Sequence, residues 1–334
     1  MIITGIKSID KCNNYLGVEN ESPQKMIIVE VGSLNMDLVV QMPEIPKLGE
    51  TLLGGVFKMI PGGKGANQAV SAARLGAKVF MIGCVGIDTF GEKLITGLSN
   101  EGIDISNVFF HAEESTGVAL IQVDSQGQNT ISVASGANLC LTSSDVEKAL
   151  KSIGNFDALV MPLETPMETI WMATKIASHK GAKVILNPAP AQTIDPALLS
   201  MIDFLVPNEH EIGLLNGSAQ KSDPDMFQQA EILISHGLKH LIVTLGSQGS
   251  VYFDGMTKEG VIFPPYKVNT IDTTGAGDCF IGALAVGLCE GKTIASAAGF
   301  ASAASAISVT RLGAQSSLPT RREVEEFMDK ILLT

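Results

Sequence analysis

The sequence contains no apolar run as long as a bilayer span and no basic start followed by an apolar stretch. Since a spanning helix needs about 20 mostly apolar residues, we predict no membrane association and no secretory signal. The scattered cysteines add the prediction of a reducing, cytoplasmic location. Basic residues are also few: 23 Lys and Arg stand against 35 Asp and Glu, for a formal net charge of -12. Because binding to nucleic acid requires basic side chains that neutralise phosphates, we expect no nucleic-acid partner.

The five cysteines are scattered, odd in number and without a Cys-x-x-Cys pair, which argues against a disulfide framework and a zinc site. No Gly-x-Gly-x-x-Gly follows a predicted strand and no His-Glu-x-x-His occurs, so a dinucleotide oxidoreductase and a zinc enzyme are disfavoured. The Gly-Lys-Thr triplet at 291–293 is not a phosphate-binding loop, because Val286 stands where the Walker pattern requires glycine.

The 334 residues are 45% hydrophobic and 17% charged, a balance typical of a globular α/β enzyme. Short apolar runs predict buried strands, and helical patterns lie between or after them, one of them ending at Gly181. Strands alternating with helices predict a mostly parallel sheet covered on both faces. The predicted strands lie at 26–32, 78–86, 157–163, 183–190, 203–209 and 240–246, and the predicted helices at 66–77, 166–182, 222–237, 278–288, 293–309 and from 320 onwards.

Two segments depart from this pattern, because apolar and polar residues alternate in them and Gly, Pro and Asn mark the bends. They predict an antiparallel hairpin system that forms a small β-sheet lid. We assign the lid to 37–60 and 113–135, the core to 26–36, 61–112 and 136–334, and a flexible arm to 1–25. An exposed apolar face on the lid would need a partner, so we expect a homodimer joined through the lids.

The clearest chemical signal is a glycine-rich turn before a predicted helix. The extended segment 267–271 leads into Gly275, Ala276 and Gly277, and Asp278 opens the helix. Such a turn exposes successive N–H groups, and the helix dipole adds partial positive charge, so we predict an anion site. Asp278 is either a catalytic residue or a plain helix N-cap, and this pattern leaves both open.

Two further motifs predict a polar ligand site. In the Gly-Gly-Lys-Gly run at 62–65, glycine allows close approach of a ligand, and Lys64 and Asn67 offer donors; the alternative is a flexible surface loop. Asn35 and Asp37 lie two apart on an extended segment and so point to the same side, as a polyol site requires; the alternative is an Asx turn.

Taken together, the motifs resemble the ribokinase family of carbohydrate kinases, in matching order from about Val31 to Ser317. They read GSLNMD, GGKGANQAV, STGVALI, GANLCL, LETP, NPAPA, PNE, TLGSQG, DTTGAGD and TRLGAQSS. The resemblance implies a ribokinase-like three-layer α/β/α sandwich with a β-sheet lid. It also implies ATP-dependent phosphorylation of D-ribose at the 5-hydroxyl, giving ribose 5-phosphate and ADP. The alternatives are a kinase for deoxyribose, fructose or adenosine, or a catalytically silent sugar sensor.

The resemblance also implies residue roles. Asp278 is the expected general base, ionised at neutral pH with an ordinary pKa, and Gly275, Ala276 and Gly277 are expected to bind the transferring phosphoryl group. The expected sugar ligands are Asn35, Asp37, Gly63, Lys64, Asn67, Glu164 and Asp278. The expected ATP ligands are Asn208, Glu211, Thr244, Leu245, Gly246, Ser247, Gln248, Gly249, Gly277 and Ser302, with the 208–211 segment helping to place Mg²⁺. A monovalent cation, usually K⁺, is expected at Asp272, Thr274, Ser308, Arg311, Gly313 and Ser317.

Overall fold

The computed structural model describes residues 6–8, 26–215 and 226–332. Most of the predicted flexible arm therefore lies outside the described residues, and Ile6–Ser8 form an edge strand. The strands are β1 (Ile6–Ser8), β2 (Ile27–Val31), β3 (Asn35–Gln41), β4 (Val56–Gly62), β5 (Lys78–Gly86), β6 (Asp104–His111), β7 (Gly117–Val123), β8 (Asn129–Ala134), β9 (Ala158–Pro162), β10 (Lys183–Asn187), β11 (Phe204–Leu205), β12 (His240–Thr244), β13 (Ser250–Asp254) and β14 (Gly260–Phe263).

Ten of these strands form the main sheet, in the order β1-β14-β13-β12-β11-β10-β9-β2-β5-β6. Neighbouring strands are parallel, except that β13 runs antiparallel to both β12 and β14. The prediction of a mostly parallel sheet is confirmed, and each strand predicted for it lies in this sheet. Strands β1, β6, β13 and β14 were not predicted, and β1 lies within the segment predicted as a flexible arm.

Helices cover both faces of the main sheet, as predicted. Alternate side chains of β2 enter two different hydrophobic cores: Ile28 packs with residues of α1, α8 and α9, whereas Val29 packs with residues of α3, α4 and α7. The helices are α1 (Lys64–Arg74), α2 (Thr89–Asn100), α3 (Ser143–Ile153), α4 (Met167–Lys180), α5 (Pro196–Leu199), α6 (Glu211–Leu215), α7 (Met226–Ser235), α8 (Ala276–Cys289), α9 (Ile294–Ser308) and α10 (Arg321–Leu332). Helices α2 and α3 were not predicted. None of the helices in the described ranges has the length and apolar character needed to cross a bilayer.

The other four strands form a small sheet in the order β4-β3-β7-β8. The hairpins β3–β4 and β7–β8 are antiparallel as predicted, but β3 and β7 pair in parallel, so a wholly antiparallel sheet is wrong. The physical reason is the connection: the chain passes through α1, β5, α2 and β6 before β7, a crossover long enough to bring the second hairpin back in the same direction.

Candidate active site

Asp278 is a buried member of helix α8, not its cap. The N-cap is Gly275, in the left-handed conformation at φ 74°, and Asp278 lies in the first turn with its side chain 8% exposed. Its carboxylate accepts hydrogen bonds from Asn67 Nδ2 at 2.8 Å and from Gln68 Nε2 at 3.0 Å. The capping alternative is therefore ruled out. The predicted strand at 267–271 is also absent from this part of the described chain, which is irregular from 264 up to the turn.

Helices α1 and α8 lie close enough for this contact because small residues meet between them. A Cβ on Gly282 would lie 2.7 Å from the carbonyl oxygen of Gln68 and 2.6 Å from the Cβ of Ser71. The Ser71 hydroxyl also donates to the carbonyl oxygen of Cys279 at 3.0 Å. The close packing places the amides of Asn67 and Gln68 against the carboxylate of Asp278.

The glycines before α1 are packed into the structure, so the surface-loop alternative is wrong. Gly62 ends β4, and Gly63 adopts φ 90°, a conformation that glycine tolerates well. A Cβ on Gly63 would lie only 2.7 Å from the backbone nitrogen of Asn35, so the turn touches the start of β3. This contact brings the predicted sugar ligands of the two motifs together.

Asn35 and Asp37 lie on β3, where side chains two apart share a face, so the Asx-turn alternative is wrong. The Asn35 Oδ1 atom accepts a hydrogen bond from Asn138 Nδ2 at 2.7 Å, and Asn138 Oδ1 accepts one from the backbone N–H of Leu34 at 2.9 Å. Asn138 therefore holds the side chain of Asn35 in one orientation.

Glu164 and Lys64 complete a compact set of polar groups. The Lys64 Nζ atom lies 3.9 Å from Glu164 Oε1, and the Lys64 backbone N–H donates to Glu164 Oε2 at 3.3 Å. The Ser33 hydroxyl donates to the same carboxylate. Burial raises the pKa of Asp37 to about 7, and the charges of Glu164 and Asp278 act in the same direction. The charges of the predicted sugar ligands Glu164 and Asp278 therefore affect the pKa of a third, Asp37.

Burial also raises the pKa of Asp278 above its usual range, although Lys64, Asn67 and Gln68 oppose the shift. The expectation of an ordinary pKa was therefore wrong, because the sequence motif did not show that the carboxyl would be enclosed. The direction of this shift is the one that general-base catalysis at neutral pH favours for a carboxyl group.

Two cavities meet beside this carboxyl. The smaller has a volume of about 170 Å³ and is lined by Lys64, Glu211 and Asp278 among other residues, and the larger has a volume of about 550 Å³. Thr244 and Gly277 line both of them. The larger cavity is lined by these predicted ATP ligands: Thr244, Gly246, Ser247, Gly249, Gly277 and Ser302. Asn208 and Glu211 line the smaller one, and neither cavity includes Leu245 or Gln248 among the described residues that line it.

The predicted anion turn lies at this junction. Gly275 and Gly277 line the smaller cavity, and Gly277 lies in the first turn of α8, where N–H groups have no intrahelical acceptor. The N–H of Ala276 instead donates to the carbonyl oxygen of Thr273 at 3.1 Å. Ala276 therefore has a protein acceptor for its N–H, and Gly277 lies in the wall of both cavities.

Asn208 and Glu211 form a local turn at the start of α6. The Asn208 Oδ1 atom accepts the N–H of Glu211 at 2.8 Å, and the Asn208 N–H donates to Glu211 Oε2 at 2.9 Å. Burial raises the pKa of Glu211. The Glu211 carboxyl thus sits at the polar cavity that it shares with Lys64 and Asp278.

The residues predicted to bind a monovalent cation come from two segments that are joined by Asp272. Its Oδ1 accepts the backbone N–H of Thr274 at 2.9 Å, and its Oδ2 accepts the N–H of Gly313 at 2.8 Å. The Arg311 guanidinium bonds Glu323 at 2.6 Å instead. The hydroxyls of Ser308 and Ser317 donate to the carbonyl oxygens of Ser305 and Ala314. Over the residues described, no three His, Cys, Asp or Glu side chains are grouped to hold a metal ion.

The chain is similar in sequence to known carbohydrate kinases. A family model described as pfkB family carbohydrate kinase matches residues 26–321. The chain belongs to this family. Ribokinase of Haemophilus influenzae is 43% identical to this chain, over 90% of it and 97% of the relative.

Solved structures agree with the assignment to this kinase family. Ribokinase of Thermotoga maritima superposes with a TM-score of 0.82 at 39% identity, covering 91% of this chain and 99% of that chain. Ribokinase of Arabidopsis thaliana, complexed with ribose and ATP, superposes with a TM-score of 0.80 at 32% identity, covering 91% and 98%. These matches confirm the family and the fold that the motifs predicted.

Sequence reasoning missed several groups around the site of this pfkB-family kinase. Gln68, Asn138 and Ser33 were not singled out, although each bonds a predicted ligand residue. Gln68 also donates to Asn187 Oδ1 at 3.2 Å, which ties α1 to the end of β10. All three residues lie within the quoted motifs, so the signal was available, but a motif does not tell which side chain supports another.

Proposed function

We propose that this kinase transfers the γ-phosphoryl group of ATP to the 5-hydroxyl of D-ribose, giving ribose 5-phosphate and ADP. The observation that carries the proposal is the position of Asp278, whose buried carboxylate lines a small polar cavity that adjoins a larger one. A sugar and a nucleotide can thus be bound side by side with a base between them. The ribokinase relatives and the complex with ribose and ATP support this choice of substrates.

In the proposed reaction, the 5-oxygen of ribose forms a bond to the γ-phosphorus while the bond from that phosphorus to the bridging oxygen of ADP breaks. The proton of the 5-hydroxyl passes to the Asp278 carboxylate, which Asn67 and Gln68 hold in place. Phosphoryl transfer needs alignment and charge stabilisation more than covalent help. The N–H of Gly277 and the N-terminal dipole of α8 are placed to stabilise the transferring group.

The proposed sugar ligands suit a polyol. Asp37 and Glu164 accept hydrogen bonds from sugar hydroxyls, and Asn35 and Lys64 donate hydrogen bonds to sugar oxygens. The backbone at Gly63 and the amide of Asn67 complete the set. Because these groups come from β3, α1 and the end of β9, a bound sugar would join the small sheet to the core.

The larger cavity is the proposed nucleotide site. Its volume of about 550 Å³ lies within the usual range for small-molecule sites, about 300–1,000 Å³. Glu211 and Asn208 would hold Mg²⁺, directly or through water, since carboxylate and amide oxygens suit this ion. When bound, Mg²⁺ supplies positive charge that neutralises the phosphates of ATP.

A monovalent cation, K⁺ in our proposal, would bind between the segment 272–274 and the segment 308–317. The bond between Asp272 and Gly313 supports this, because it holds the two segments together. Ligands would be mostly backbone carbonyl oxygens. The prediction is that turnover is higher in K⁺ buffer than in Na⁺ buffer of the same ionic strength.

We further propose that the small sheet is a lid on the α/β core, with the division of the chain given above, and that it joins two copies of the chain. Phe57 and Leu120 are 57% and 55% exposed, and with Met59 they share the sheet face opposite Asp37. An apolar face of this kind marks an interaction surface, and a second copy carries the same face. The cytoplasmic location stays a prediction.

The test is ADP release from Mg·ATP by the purified full-length protein with D-ribose, deoxyribose, fructose or adenosine. Turnover that depends on ribose supports the proposal. Turnover with one of the other acceptors but not with ribose would support the phosphoryl-transfer mechanism and reject ribose as the substrate. Absence of turnover with every acceptor, together with calorimetric binding of ribose, would favour a sugar sensor and reject the kinase proposal.

A further inference from the structure

Arg74, the last residue of α1, ties that helix to the C-terminal part of the chain. Its Nε and Nη2 donate to the two carboxylate oxygens of Glu101 at 2.9 and 2.6 Å, so the guanidinium is held by a two-pronged ion pair. Its Nη1 donates to the carbonyl oxygens of Gln315 at 2.7 Å and Leu318 at 2.8 Å. One side chain therefore holds both ends of the short 3₁₀ turn Gln315–Ser317.

The segment held by Arg74 lies against the anion turn. A Cβ built on Gly275 would lie 3.2 Å from the Cα of Ala314 and 3.3 Å from its Cβ, so the backbone of Gly275 packs directly on this residue. Next to it, the N–H of Gly313 donates to Asp272. The segment 313–318, the support loop, therefore contacts the Gly275–Gly277 turn, and Arg74 binds two of its carbonyl oxygens.

Helix α1 thus contacts the site at both ends. Its first turn carries Asn67 and Gln68, which bond Asp278, and its last residue holds the support loop. We infer that Arg74 is a positioning residue for phosphoryl transfer. By fixing the support loop to α1, it holds the Gly275–Gly277 turn in position relative to α1, whose Asn67 and Gln68 bind Asp278. This inference rests on the proposed kinase function, and it assigns Arg74 no contact with substrate.

The guanidinium geometry explains why arginine is needed here. Its planar fork binds one carboxylate with two N–H groups and still presents a third nitrogen to the two carbonyl oxygens. Lysine carries one compact ammonium group and cannot make all four bonds in this geometry. Without the side chain, the carbonyl groups of Gln315 and Leu318 lose a charged donor, and the support loop can shift under the turn.

The test compares Arg74→Leu and Arg74→Lys with a matched control, Arg321→Leu. Arg321 also makes two ion pairs, to Glu290 at 2.5 Å and to Glu325 at 2.6 Å, but it lies on α10, and these bonds go neither to the support loop nor to the site. The measurements are kcat and KM for ribose, ribose binding by calorimetry without nucleotide, and thermal unfolding. All rates are taken at a temperature where circular dichroism shows each variant folded.

We expect Arg74→Leu to lower kcat by about 10- to 100-fold, the range for a small misplacement of reacting groups, with ribose binding within about twofold of wild type. The kcat of Arg74→Lys should lie between those of wild type and Arg74→Leu. Arg321→Leu should keep a kcat near that of wild type, even if its unfolding temperature falls as far as that of Arg74→Leu. An unchanged kcat in both Arg74 variants would overturn the inference. So would an equal loss of kcat in Arg321→Leu, or a loss of ribose binding that matches the loss of kcat.

Wild-type turnover separates this inference from the proposed function. If the wild-type protein phosphorylates none of the acceptors, the proposed function fails first. If it does phosphorylate ribose and the Arg74 variants behave like wild type, only the inference about Arg74 fails. Hydrogen exchange provides a readout that does not use turnover: Arg74→Lys should speed exchange of the support-loop amides, and unchanged protection of those amides would count against the inference.

Discussion

Glu30 is a carboxylic acid in the middle of the main sheet, and replacing it with glutamine should change how the stability of the protein depends on pH. It lies on β2, between Met81 of β5 and Val160 of β9, and its side chain is 1% exposed. Its Oε1 atom has no hydrogen-bond partner among the described residues. Burial, with a smaller contribution from the charge of Asp278, raises its pKa well above the ordinary 4.5.

The sign and size of the effect follow from proton linkage. Above its ordinary pKa, the unfolded chain releases the Glu30 proton, whereas the folded protein keeps it, so the free energy of unfolding falls as pH rises. The loss is about 1.4 kcal/mol per pH unit until the folded-state pKa is reached. Between about pH 5.5 and about pH 7 the contribution amounts to about 2 kcal/mol, for a Glu30 that stays protonated in the folded protein. Glutamine cannot release this proton, so the loss should vanish.

The assay is urea unfolding of wild type and Glu30→Gln, followed by circular dichroism at both pH values. The free energy of unfolding of the variant relative to wild type should rise from the lower to the higher pH, by about 1.4 kcal/mol for each pH unit over which the folded protein keeps the Glu30 proton. Other titrating groups are common to both proteins and cancel in this comparison. Glu44→Gln, in an exposed loop, is the control and should follow wild type. Parallel pH profiles for wild type and Glu30→Gln would refute the reasoning.

Three further predictions follow from the site and the small sheet. Asp278→Asn should lower kcat by about 100- to 10,000-fold, the usual contribution of a general base, while calorimetry still detects ribose binding; a near-normal rate would reject the role of Asp278. Ribose affinity should strengthen as pH rises through about 7, where Asp37 ionises and becomes the better acceptor, and Asp37→Asn should remove this step in calorimetric titrations. The double change Phe57→Glu and Leu120→Glu should give a monomer by light scattering, since it puts charge on the exposed apolar face; a wild-type monomer would contradict the proposed dimer.

Local pattern was sufficient for much of the fold. The strands β2, β5, β9, β10 and β12 are short, mostly apolar runs, as is typical of buried parallel strands, and their positions followed from that. Helix α4 ended at Gly181 as predicted, because glycine adopts the left-handed conformation there at little cost. Strands β13 and β14, near one end of the main sheet, were missed, and β14 is only four residues long.

The family was determined by the sequence alone, because the ordered motifs are specific and both the family model and the relatives match them. The tertiary structure decided what the motifs left open. Asp278 is not a helix N-cap but a buried carboxylate in the first turn of α8, and it accepts hydrogen bonds from Asn67 and Gln68, more than 200 positions away in the chain. The pKa of Asp278 depends on burial, and the support of the anion turn depends on Arg74 reaching Gln315 and Leu318. Burial and long-range hydrogen bonds arise from packing between distant segments, and no local pattern encodes them.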